Sequence, residues 1–101
     1  MNIGIHDLSI TTIAGTGEAT TSSNTDGVIY GLLCYIGINA PNGATYIVKV
    51  YDSAGYLLYT ESTISGDGYI EMERPVNSTL RVVIESASVD SVYGIRLRYT
   101  F

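Results

Sequence analysis

The sequence contains no tryptophan, one histidine, one cysteine, two prolines and only five cationic side chains. Each scarcity closes off a class of protein. A single thiol, Cys34, excludes an intramolecular disulfide framework and a cysteine-based zinc site. Five Lys and Arg against ten Asp and Glu give a net charge of −5, the wrong sign for a general binder of nucleic-acid phosphates. The longest nearly uncharged apolar stretch, Val28 to Ile38, is interrupted by Gly31 and Gly37. It falls well short of the roughly 20 residues that a membrane helix requires. Residues Met1 to Asp7 lack the basic stretch and apolar core of a secretory signal, so the chain is expected to be made and retained in a cytoplasm.

Catalytic chemistry finds few footholds. The lone His6 is followed by Asp7, which on a strand points to the opposite side, a poor geometry for an acid–base dyad. No Gly-x-Ser-x-Gly elbow is present, and Gly15-Thr-Gly17 has neither a Rossmann context nor a phosphate-loop lysine. Asp52 and Asp67 lie in glycine-bearing turns without the alternating acids of a calcium loop, and Glu71 with Glu73 reads as the solvated face of a strand. Cys34 reads as a small inert hydrophobe. The expectation is a protein that is not an enzyme and carries no cofactor or metal.

What is present is strongly β-forming: nine Tyr, eleven Gly and many Val, Ile and Thr in 101 residues, with 46% hydrophobic and 15% charged. That length holds one core. Ile3 to Ile13 alternates as a strand, with a phase break near His6-Asp7. Ala14 to Asp26 is almost all Gly, Ala, Thr, Ser and Asn and reads as a flexible linker, so residues 1–26 are expected to form an arm and linker outside a body spanning 27–101. Within the body, Val28 to Asn39 is apolar on both faces, as a central strand would be. Thr45 to Tyr51 places Tyr46, Val48 and Val50 on one face and turns at Asp52 to Gly55 into Tyr56 to Glu61. Tyr69 to Glu73 follows, then Arg74 to Ser78 as a lead into Leu80 to Ser86, and a final strand in which Tyr93, Ile95, Leu97, Tyr99 and Phe101 keep an unbroken period of two. The pattern predicts an all-β fold, an antiparallel sandwich of jelly-roll or immunoglobulin-like type with seven or eight short strands and an N-terminal arm.

Parity also predicts a site. If Leu80, Val82 and Ile84 and Tyr93, Ile95 and Leu97 all face inward, Arg81, Arg96 and Arg98 face outward. In a hairpin joined through Ala87 to Ser91 they lie side by side, and such a cluster needs carboxylates, from Glu71, Glu73 or Glu85 or from a partner. The expected partner-binding residues are therefore Arg81, Arg96 and Arg98.

Three segments carry a resemblance: Asp26-Gly-Val-Ile-Tyr-Gly-Leu-Leu-Cys-Tyr-Ile, Thr45-Tyr-Ile-Val-Lys-Val-Tyr-Asp-Ser-Ala-Gly-Tyr-Leu-Leu, and Pro75-Val-Asn-Ser-Thr-Leu-Arg-Val-Val-Ile-Glu, with the ending Tyr99-Thr-Phe101. Over about residues 26 to 101 the chain resembles small β-proteins encoded among the virion genes of tailed bacteriophages. The resemblance implies a structural protein of the virus particle, a capsid cement or decoration protein bound to the major capsid protein and to copies of itself, a trimer being one arrangement it allows. It implies no nucleic-acid, membrane or small-molecule partner and a place in the virion after synthesis in the host cytoplasm. The competing reading is a carbohydrate- or receptor-binding sandwich of a tail or head fibre, in which tyrosines would stack on sugars.

Overall fold

The computed structural model describes residues 2–21 and 27–101. Eight strands follow one another: β1 (Ile3–Thr11), β2 (Gly17–Thr20), β3 (Ile29–Asn39), β4 (Thr45–Tyr51), β5 (Leu57–Ser65), β6 (Gly68–Ser78), β7 (Arg81–Glu85) and β8 (Val92–Thr100). They form two four-stranded antiparallel sheets, ordered β1-β8-β3-β6 and β2-β7-β4-β5. Consecutive strands mostly change sheets, so that sequence-distant strands pair; this is the double-sheet jelly roll, one of the two sandwich types the alternation predicts.

The inner faces are the alternating sets read from the sequence. Tyr46, Val48 and Val50 of β4, Val82 and Ile84 of β7, and Tyr93, Ile95 and Leu97 of β8 are all buried and meet Ile10, Ile29, Leu33, Ile36 and Ile38 from the other strands. Two core tyrosines keep their hydroxyls bonded. Tyr46 donates to the Gly66 carbonyl at 2.7 Å, Tyr93 to the Val89 carbonyl at 2.8 Å, and their rings meet edge to face at 5.2 Å. Burial, with Asp67 and Tyr93 nearby, pushes the Tyr46 phenol up to about 12.

The arm expected before residue 27 is instead part of the body. β1 pairs with β8 along its whole length, from Ile3 opposite Thr100 to Thr11 opposite Val92. A tight turn then carries the chain to the second sheet. Ala14 and Gly15 both have positive φ, 53° and 83°, as a two-residue I′ turn demands. Ile13 and Thr16 bridge across it, and the Asp90 carboxylate accepts the Ala14 and Gly15 N–H groups at 3.0 and 2.8 Å. β2 pairs with β7, Gly17 opposite Ile84 through Thr20 opposite Arg81. The polar composition of Ala14–Thr21 misleads because β2 is a short edge strand: it needs a partner ladder more than apolar side chains of its own. The remainder of the expected linker, residues 22–26, lies outside the described residues.

Three further differences have local causes. Arg74–Ser78 continues β6 rather than ending it: Pro75 lies opposite Leu32 of β3, and proline is tolerated there because β6 is a sheet edge, paired on one side only. The phase break in β1 is a change of apolar face in an unbroken strand, Ile3 and Ile5 facing out and Leu8 and Ile10 facing the core. The third is a bulge in β3, where the register shifts between Leu33 and Tyr35. Leu33 is buried before it and Ile36 and Ile38 after it, so Cys34 is the extra residue and Tyr35 is turned outward. At the far end, Asn2 and Phe101 exchange backbone hydrogen bonds of 2.8 and 3.0 Å, extending the β1–β8 ladder.

Candidate functional site

The two outer faces differ in kind. On the β2-β7-β4-β5 sheet the outward side chains are tied to one another: Lys49 Nζ lies 2.9 Å from Glu85, Arg81 donates to Glu18 at 3.3 Å, and the Arg81 guanidinium lies 4.3 Å from the centre of the Tyr51 ring. Its hydrogen bond to Glu85 holds the Lys49 ammonium above its usual range. Most of that face is covered by these polar contacts, with Leu57 exposed opposite Tyr51 at its β5 edge.

The outer face of the β1-β8-β3-β6 sheet is open, and it has two halves. Reading across the register, Ile3, Thr100 and Leu32 form one row, with Ile5, Arg98 and Tyr35 next to it and Tyr30 further along β3. Ile3, Ile5, Tyr30 and Leu32 are all exposed, at 55%, 51%, 60% and 39%. An apolar strip of this kind on the outer face of a sandwich sheet is unusual for a solvated surface.

The other half is aromatic and polar. Asp7, Arg96, Gly37 and Tyr69 form one row across the four strands, and Ser9, Gly94 and Asn39 form the next. Tyr35 and Tyr69 stack with ring centres 4.9 Å apart, and the Arg98 guanidinium lies 5.7 Å from the Tyr35 ring. Arg96 binds Asp7 through two parallel bonds, Nε to Oδ1 at 2.8 Å and a terminal nitrogen to Oδ2 at 2.9 Å. That bond, ahead of simple charge attraction, holds the Asp7 carboxyl below its ordinary value of 3.8 and raises the Arg96 guanidinium. Asp67 accepts the Ala40 N–H at 2.9 Å and steadies the β3–β4 connection at one end. Asp7, Ser9, Tyr35, Asn39, Asp67, Tyr69 and Arg96 ring a depression of about 560 Å³ that also touches Gly37 and Gly94. A second depression of about 610 Å³, bordered by Cys34, Glu71, Glu73 and Arg98, shares Tyr35 and Tyr69 with it.

The floor of the first depression is bare because of two glycines. Neither Gly37 nor Gly94 has a positive φ, and a Cβ at either would meet its neighbours at 3.5 Å or more, ordinary contact. Neither backbone nor packing requires glycine there. What a side chain would do at either position is fill the hollow.

The expected arginine patch does not form. Arg81 is on β7, in the opposite sheet from Arg96 and Arg98 on β8, because residues 86–91 cross between the sheets instead of closing a hairpin. The carboxylates that meet the arginines are Glu18 and Asp7, both from the expected arm, and not Glu71, Glu73 or Glu85. Asp52 and Asp67 serve turns: Asp52 accepts the Ala54 and Tyr56 N–H groups at 3.0 and 2.9 Å. Among the described residues no three His, Cys, Asp or Glu side chains are grouped to hold a metal. His6 lies on the inner side of β1, 6.1 Å from the Tyr99 ring, with Asp7 on the outer side as strand geometry requires. Tyr35 escapes sequence reasoning because the bulge reverses its parity, whereas Tyr69 is visible in the exposed alternation Tyr69, Glu71, Glu73.

No family model matches the chain, and no curated protein matches it. Among solved structures it is similar to the crystal structure of the Yersinia pseudotuberculosis-derived mitogen (YPM), with a TM-score of 0.53 at 16% identity over 98% of this chain and 86% of that one. At that identity the likeness is one of fold, a β-sandwich in both.

Proposed function

We propose that the chain is a non-enzymatic structural protein of a tailed-bacteriophage particle, acting in many copies as a capsid cement or decoration subunit. The observation that supports this reading is the contrast between the two outer faces, one crossed by its own ion pairs and the other carrying the contiguous exposed strip of Ile3, Ile5, Tyr30 and Leu32. The occupant of that strip is a further copy of the chain. A body of net charge −5 tends to repel its copies, and the strip, whose four apolar residues carry no charge and which Glu71 and Glu73 border only at the β6 edge beside Arg98, is the region where two such surfaces can meet with apolar burial and little repulsion. The virion setting comes from the sequence resemblance, and a particle lattice supplies the high local concentration that a modest contact needs.

Light scattering and sedimentation of the purified protein should give a multimer, and the double variant Ile5→Glu, Leu32→Glu should give the 10.9 kDa monomer with the same β-sheet spectrum. A monomeric wild-type protein, or a variant that still assembles, would overturn the self-packing. Labelling of purified particles with antibody to the chain tests the setting.

A further inference from the structure

The polar half of the open face is not needed for that packing, and its chemistry is of another kind. We infer that the depression over Gly37 and Gly94 is a saccharide site and that it takes a neutral hexose oligosaccharide. A pyranose ring has an apolar C–H face and a rim of hydroxyls. The hollow offers a complement to each: the Tyr35–Tyr69 pair, with Tyr69 63% exposed, for the ring face, and the Asp7 carboxylate, the Arg96 guanidinium, the Ser9 hydroxyl and the Asn39 amide for the rim.

Three features sharpen the class. Arg96 and Asp7 are fixed against each other in a bidentate plane, so they present donors and acceptors at set positions without waiting for ligand. The charge is wrong for an anionic sugar, because Asp7 already answers Arg96 and Asp67 adds a negative charge at the rim, as Glu71 and Glu73 do in the adjoining hollow. Extent argues for more than one sugar unit. The two hollows run from Asn39 to Cys34 along β3, about 16 Å of strand, with the tyrosine pair between them.

The experiment is a titration of the full chain with ladders of one to four units of neutral gluco-, manno-, galacto- and chito-oligosaccharides, beside sialylated and heparin-type sulfated probes. One neutral ladder should bind with affinity rising from one unit to two or more. Tyr69→Ala and the hollow-filling Gly94→Val should each weaken it at least tenfold while leaving the melting temperature and the multimer mass unchanged. If no neutral probe binds, if only the anionic probes bind, or if both variants bind as wild type does, the inference fails. A single hexose binding as tightly as the longer probes would overturn the extended site. None of these results touches the assembly reading, which is judged by mass.

Discussion

Asp7 and Arg96 sit directly opposite each other on β1 and β8, and their two parallel bonds make the most regular side-chain contact on the open face. Both side chains are more than half exposed, so water and salt screen them and they add little to the fold. The sign of the pH dependence follows from the direction of the shift. The folded Asp7 carboxyl is held below its ordinary 3.8, so its contribution is complete above that value and is lost as pH falls through the lowered one. Thermal melts of Asp7→Asn should therefore show a small deficit against wild type at pH 7 that closes as the buffer is taken well below pH 4. A deficit that is independent of pH would mean that Asp7 acts by shape alone.

At the scale of elements, the strand β1 is where sequence and structure part. Its alternation was legible, and so were β4, β7 and β8 with the faces they bury, because period two survives wherever one side meets the core. β3 and β5 were legible as strands only: β3, apolar on both sides, buries one face and leaves Tyr30 and Leu32 of the other exposed. Pairing was not legible, since nothing in a strand's own residues says which distant strand lies beside it. The hairpin expected between β7 and β8 failed for that reason, and the arginine patch failed with it. Tyr35 was hidden by one inserted residue, Cys34, which reverses the parity of everything after it. Because β1 covers the edge of β8 and buries Ile10 beside Tyr93, a fragment of residues 27–101 should not fold alone. Far-ultraviolet dichroism and solubility check this: the fragment should be aggregated or unstructured, and a soluble fragment with the full β-signal would restore the arm as a separate element.

For the whole molecule, the jelly-roll order joins strands from opposite ends of the chain, β1 with β8 and β2 with β7, while only β4 and β5 pair as a close hairpin. Closing such distant contacts costs entropy before burial returns it, which places refolding on the millisecond-to-second scale of sandwiches, about a thousandfold or more slower than helical bundles. Stopped-flow tyrosine fluorescence can follow it, since no tryptophan competes, and a microsecond phase recovering the full signal would contradict this expectation. The backbone exchange between Asn2 and Phe101 has a consequence for engineering. With these residues already side by side, a few added residues could close the backbone into a ring, and reopening it at the exposed Gly55 turn would relocate the ends without unpairing a strand. Equally, the whole sandwich could be spliced into a surface loop of another protein, because its entry and exit points are already neighbours.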